Sequence, residues 1–281
     1  MATDLFRKHC GPEVVAAAEL KGWCPELWSE LEESGLARVG VEGAFSEAAA
    51  VVRVAARFAA PVPLAETVLA SWLQDDAPQG PLSVAYAGRA SYGRVARWIL
   101  VDGSMVGASH LRLKDGVNLA GEPLDSVDPP GGGEDVLLKG ALIRSIQMAG
   151  ALERILELTI NYTRERHQFG RSLMRFQAVQ QALALMAGEV AAAGATVDAA
   201  VETPDAQRVA IAKIRTGLAA GQASAIAHQL HGAIGLSQEH QLHHFTRRLW
   251  SWRDDFGTEH DWATRLGQQL LSSGQLWAAL T

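Results

Sequence analysis

The sequence predicts a mainly α-helical protein with a small antiparallel β domain set between two helical regions. Three observations lead there. Hydrophobic residues make up 48% of the chain but aromatics only 6%, an alanine-rich balance that suits closely packed helices. Apolar residues recur at three- and four-residue spacing before residue 80 and after residue 134. In between, the chain breaks into short apolar runs cut by glycine and proline. The expected domains are therefore an N-terminal helical domain at 1–80, a β domain at 81–133 and a C-terminal helical domain of four-helix type at 134–281.

In the first region, 13–36 holds two short helical patterns separated by Gly22 and Pro25, with Leu27, Trp28, Leu31 and Leu36 at helical spacing. Another helix is expected over 45–58. The Pro61-Val62-Pro63 break leads into 64–73, where Ala65, Val68, Leu69 and Trp72 form one stripe. The β region offers short apolar runs at 82–86, 95–101, 110–113 and 136–138, divided by Gly88, Gly93, Gly103, Gly107, Gly116 and the linker 129–133. The main helical domain starts near Glu134. Leu142, Ile143, Ile146, Ala149, Leu152, Ile155, Leu156 and Ile160 keep helical spacing up to a corner at 161–177. A second helix follows over 173–201, and Pro204 is placed to open a third at its first turn, running to 228–235. The fourth, 239–255, carries Leu242, Phe245, Leu249 and Trp252 on one face; Gly257-Thr258 breaks it before a last helix to Leu280.

A net charge of −6 without a basic stripe argues against nucleic acid as a partner. Cys10 and Cys24 are the two cysteines, too few for a disulfide framework. A reducing, cytoplasmic setting with no membrane span is expected.

The corner, N-Y-T-R-E-R-H-Q-F-G-R-S-L-M-R-F-Q, is where chemistry concentrates. Gly170 is expected to stop the incoming helix and Arg171-Ser172 to lead into the next. Arg166, Gln168, Arg171 and Gln177 bracket one exposed aromatic, Phe169. Cationic forks, amide donors and a stacking face suit an anionic, nucleotide-bearing cofactor.

E-R-x-Q-F-G followed by F-Q, together with H-Q-L-H-G-A-I-G-L-S-Q-E-H at 228–240, resembles the acyl-CoA dehydrogenase family, over roughly 139–267. The resemblance implies an acyl-CoA dehydrogenase-like fold whose four-helix C-terminal domain binds FAD across a subunit boundary. It further implies α,β-dehydrogenation of an acyl-CoA thioester, with electrons passed to an electron-transfer flavoprotein, by a homo-dimer, homo-tetramer or a heterotetramer with a related subunit. By the same resemblance Arg166 holds the diphosphate and Phe169 packs on the flavin-adenosine portion. Gln229, Gly232 and Gly235 complete the far side, and Gln168, Gly170, Gln177 and Thr258 join the cofactor contacts. For Gly232 and Gly235 a helix C-terminus with left-handed turns is the alternative reading of the residues.

The implied reaction needs a carboxylate that removes the α-proton while the β-hydride goes to flavin N5. The family's usual glutamate precedes a Gly-Thr pair; anchoring on Gly257-Thr258 puts Phe256 there. The other family location falls near Gly140-Ala141, again without a carboxylate. The nearest candidates are Asp255 and then Asp254, in W-R-D-D-F-G-T, where burial beside Trp252 and Phe256 would raise the pKa. A surface Asp pair near Arg253 is the alternative. The β region lacks the family's Thr/Glu/Gly/Ser-rich strand and its Trp/Thr element, offering Ala85-Tyr86-Ala87-Gly88 and Trp98 instead; the family's glycine-rich loop between the second and third helices shrinks to Val39-Gly40-Val41-Glu42-Gly43. Two functions stay open: a catalytic dehydrogenase, or a non-catalytic partner subunit that lends its FAD-clasping corner to another chain. His240, His243 and His244 have helical metal-binding spacing, but no carboxylate or cysteine completes a set, and no metal is expected.

Overall fold

A computed structural model describes residues 1–39 and 44–273. The shortened glycine segment, Val39 apart, and the end of the last helix, with Leu280, lie outside these residues. The chain opens with helices α1 (Ala2–His9), α2 (Pro12–Lys21), α3 (Pro25–Glu33), α4 (Phe45–Arg57) and α5 (Leu64–Leu73). Proline at the first position of α2 and α3 starts each helix where a missing N–H costs nothing. Helix α1 was not legible from spacing, because Phe6 is its one buried residue. Asp4 in its first turn and Arg7, Lys8 and His9 in its last complement the helix dipole.

Strands β1 (Leu82–Tyr86), β2 (Arg89–Ser91), β3 (Trp98–Val101), β4 (Ser104–Gly107), β5 (Arg112–Lys114) and β6 (Leu124–Asp128) form one sheet in the order β4-β3-β1-β2-β6-β5. The expected all-antiparallel pairing needs correction. β1 and β3 run parallel, with Leu82 opposite Trp98, so the sheet is mixed. β2 already occupies one edge of β1, and the chain returns through 92–97 to add β3 on the other edge. The run 136–138 is helical rather than extended, and β2, β4 and β6 are additions.

Helix α6 (Glu134–Glu165), 32 residues long, is the axis on which α4 and α5 pack together with α7 (Gln177–Glu202), α8 (Ala206–His231) and α9 (Leu242–Asp254). Helix α10 (Glu259–Ser273) lies against α8. One apolar core runs unbroken from the N-terminal helices through α6 to α9, while the sheet keeps a small one of its own around Ile99 and Val101. Pro204 does not open α8. It precedes the cap residue Asp205, whose carboxylate accepts the Arg208 N–H at 2.8 Å. Helix α7 is long and apolar enough to cross a membrane by length and composition, with a mean hydropathy of 1.3, but it packs here between α6 and α8.

Candidate functional site

The corner is a small hairpin, not a helix-to-helix turn at glycine. α6 stops at Glu165, and β7 (His167–Gln168) pairs with β8 (Arg171–Ser172). Phe169 and Gly170 form the tip with φ of 54° and 78°, the signature of a type I′ turn. Gly170 therefore supplies the second left-handed position of that turn instead of a helix stop. The base of the hairpin is pinned at Arg166: its N–H donates to the Tyr162 carbonyl at 2.8 Å, and its carbonyl accepts the Leu173 N–H at 2.8 Å. Arg171 lies 4.0 Å over the Phe176 ring, and Phe169 meets Phe176 edge-on at 6.3 Å. Residues 166–171 are all exposed, as is Gln177 at the start of α7. Phe169 is 91% exposed. A large apolar ring held in water on a fixed turn marks a contact that this chain does not itself supply.

The second motif closes α8. Gln229 and Gly232 face solvent. Gly232 has φ 64° and ψ −144°, and a Cβ there would meet nothing within 4 Å, so its conformation calls for glycine and its surroundings are open. Gly235 differs. It is buried, and a Cβ would come within 2.7 Å of the His231 Cβ and 3.2 Å of Leu242, so internal packing accounts for that glycine. Phe169 as a stacking face, Arg166 and Arg171 as cations and the open backbone at Gly232 fit the phosphate and adenosine portions of FAD.

The carboxylate candidates lie elsewhere. Arg144, near the start of α6, is nearly fully buried and donates from Nε to Asp255 at 3.0 Å and from Nη1 to Glu66 at 2.9 Å. It also donates to Gln147 and, from Nη2, to Ser91 at 2.8 Å. One guanidinium thus ties α5, α6, β2 and the end of α9 together. Burial pushes the Glu66 carboxyl up against the pull of Arg144, and its Oε2 has no partner. Phe256, with φ 55°, presses on Gly140: a Cβ at Gly140 would lie 2.4 Å from the ring. Tyr86 packs on the other side at 5.1 Å. Asp254 is exposed, and both it and the half-buried Asp255 border a cleft of about 250 Å³ shared with Tyr86, Arg89 and Ser91. Thr258 is occupied as a helix cap, its hydroxyl and N–H both donating to Asp261 ahead of α10.

Buried Lys213 on α8 donates to the carbonyls of Trp252 and Arg253 at 2.8 and 3.0 Å and so caps α9. Burial pushes its ammonium down to about 7, with Asp255 pulling the other way. Arg144 and Arg166 stand 22 positions apart along α6, about 33 Å at 1.5 Å per residue. The structure therefore gathers Asp255, Asp254 and Thr258 at one end and Arg166, Gln168, Phe169, Gly170 and Gln177 at the other. Gln229 lies near the end of α8, and Gly232 and Gly235 in the segment between α8 and α9.

His243 and His244 come within ligand reach of Glu19, whereas the His240 ring lies against His231 at 4.7 Å, tilted by 60°. Glu19 is thus a carboxylate that the sequence reading did not find for this group, and it also pairs with Arg248 at 2.7 Å and His244 at 2.8 Å. Arg144, Lys213 and Arg248 are the residues that pattern reading passed over. The available signal was a charge where the helical stripe calls for an apolar residue, as at Arg144 between Ile143 and Ile146.

A profile of the acyl-CoA dehydrogenase C-terminal domain matches residues 135–258. Acyl-CoA dehydrogenase IpdE2 of Mycobacterium tuberculosis is 30% identical over 282 residues, covering 87% of each chain. In the ChsE4-ChsE5 complex from Mycobacterium tuberculosis, one chain superposes with a TM-score of 0.83 at 22% identity, over 96% of this chain and 95% of that one. A chain of the Tcur3481-Tcur3483 steroid ACAD gives 0.84 at 20% identity, over 98% and 96%.

Proposed function

The chain belongs to the acyl-CoA dehydrogenase family, and on that premise we propose that it is the FAD-clasping, non-catalytic subunit of a heteromeric acyl-CoA dehydrogenase. The observation that carries this is Phe256. It stands where the family's base is expected, and its ring fills the notch over Gly140, the other place where a base is expected. Asp255, the nearest carboxylate, serves as counter-charge to buried Arg144. Taking up a proton there would strip that guanidinium of one of its two anionic partners. What this chain contributes is the opposite end of α6: Arg166 holds the diphosphate, Phe169 stacks, and Gln168, Gly170, Gln177, Gln229 and the Gly232 backbone line the contact. Bound FAD supplies the hydride acceptor. The related subunit supplies the base, the acyl-CoA pocket and the other half of the flavin site. The ChsE4-ChsE5 complex, a two-subunit assembly among the structural relatives, supports the division.

The substrate of the assembly is an acyl-CoA thioester, and the steroid ACAD among the structural relatives makes a steroid-derived acyl chain the first to test. We assign the assembly to the cytoplasm, with an electron-transfer flavoprotein as acceptor.

Arg166→Ala tests the clasp. Loss of one charge-assisted contact costs on the order of 1.5–3 kcal/mol, so flavin absorbance per assembly should fall several-fold while helicity persists. Unchanged flavin content would overturn it. A second reading keeps Asp255 as the base, favoured by its position on the cleft beside Tyr86 and Ser91. Asp255→Asn separates the two. Near wild-type reduction of bound flavin by acyl-CoA is expected of the non-catalytic subunit, and slowing by roughly 10²–10⁴-fold would return the base to Asp255.

A further inference from the structure

The two cofactor motifs of this chain meet through three rings of their own that the cofactor contacts leave unused. Tyr162, in the last turn of α6, lies face to face with His231 at 4.5 Å and 20°. His240, just before α9, closes on His231 at 4.7 Å and meets Tyr162 edge-on at 6.2 Å. Each ring is tied to a functional segment. The Tyr162 carbonyl accepts the Arg166 N–H that caps α6, and the His231 Cβ is the surface against which Gly235 is pressed. Gly232 follows His231 directly. His240 accepts the Leu242 N–H at 3.1 Å and so fixes the entry to α9.

We propose that Tyr162 and His231 are positioning residues for the cofactor: their stacked rings lock the Arg166 corner to the Gly232 turn, so that both motifs move as one body. This rests on the reading that FAD binds at those motifs. His231 is 3% exposed, and its Nδ1 donates to the Ala227 carbonyl at 2.7 Å, which leaves Nε2 as a buried lone pair without a partner. Protonation at Nε2 would put a charge and an unsatisfied donor into the stack. The titratable groups facing His231 are Tyr162 from α6, His240 from the segment before α9 and His228 from its own helix. Among the described residues no carboxylate acts on His231 to stabilise an imidazolium, and burial together with the neighbouring histidines holds its pKa below the ordinary value. The lock is therefore closed at neutral pH and opens in acid.

The test titrates FAD into the flavin-stripped assembly in which the chain purifies, following flavin fluorescence. Tyr162→Leu and His231→Asn should weaken binding by roughly 3- to 10-fold, the range for losing an aromatic pair, and Tyr162→Phe should stay within about twofold of wild type. Asparagine keeps a donor for the Ala227 carbonyl but has no ring. Wild-type binding should weaken as the pH falls below the ordinary histidine value of about 6.5, and His231→Asn should flatten that profile. If both ring-deleting variants bind FAD as wild type does while Arg166→Ala binds weakly, the lock is overturned and the clasp stands. If Arg166→Ala also binds normally, clasp and lock fall together. Should the ring-deleting variants fail to fold, a wild-type affinity that stays unchanged from pH 7.5 down to the acid limit of the folded assembly overturns the lock by itself.

Discussion

The two ends of α6 are finished to different degrees. Around Arg144 the chain satisfies nearly everything itself: one guanidinium reaches Glu66, Asp255, Gln147 and Ser91, an ammonium from α8 caps α9, and Phe256 fills the space over Gly140. Around Arg166 the chain fixes the backbone and sets Arg171 and Phe169 against Phe176, while residues 166–171 stay exposed. A pinned hairpin presents a phenylalanine, an amide and two arginines to water. A protein spends buried charge where it must hold its own parts together, and leaves rigid, exposed aromatic and cationic groups where something else is to be held.

Arg144→Leu should be the most damaging substitution, because it strands Glu66 and Asp255. The expected loss is about 3–5 kcal/mol, read as a lower urea midpoint, and a change under about 1 kcal/mol would mean the inner end is not held by this charge. At the outer end the effect should move from stability to affinity. Phe169→Gly keeps the left-handed turn and deletes the ring, so FAD binding should weaken by about 1–3 kcal/mol with the melting temperature unmoved. Gly140→Ala drives a methyl into the Phe256 ring and should cost about 1–3 kcal/mol in stability without touching FAD affinity.

The pH dependence divides the same way. Burial lowers the pKa of His228, His231, His240 and His243. The unfolded chain then takes up protons that the folded chain refuses, so stability should be lost as pH falls below about 6.5. Lys213 gives up its proton near 7 when folded but near 10.5 when unfolded, so its contribution makes stability rise with pH from about 7. Urea midpoints at pH 7.0 and 8.5 should show that rise, and Lys213→Met should abolish it. The smallest effect belongs to the exposed pair of Arg53 and Asp198, where Asp198→Ala should cost at most about 1 kcal/mol.

The helices were legible because a 3.6-residue stripe survives wherever one face is buried, as along Leu142, Ile146 and Ala149. The corner was legible in composition but not in shape. Gly170 reads equally as a helix stop or as half of a I′ turn, and the choice depends on Arg166 ending α6 four residues earlier. The parallel pairing of β1 with β3 left no local trace, since strand order depends on which edge β2 has already taken. Least legible was the Arg144 cluster, whose partners lie 78 and 111 positions away along the chain. Nothing near Asp255 in the sequence announces that its carboxylate accepts from a guanidinium 111 positions away.

The I′ turn at Phe169-Gly170 bears on how fast an assembly forms. Because the hairpin already has its shape in the single chain, docking it orders little new backbone, and the entropy that usually slows a loop's capture has been lost during folding. Encounter between subunits should then follow one concentration-dependent phase, with no slower step of loop rearrangement behind it.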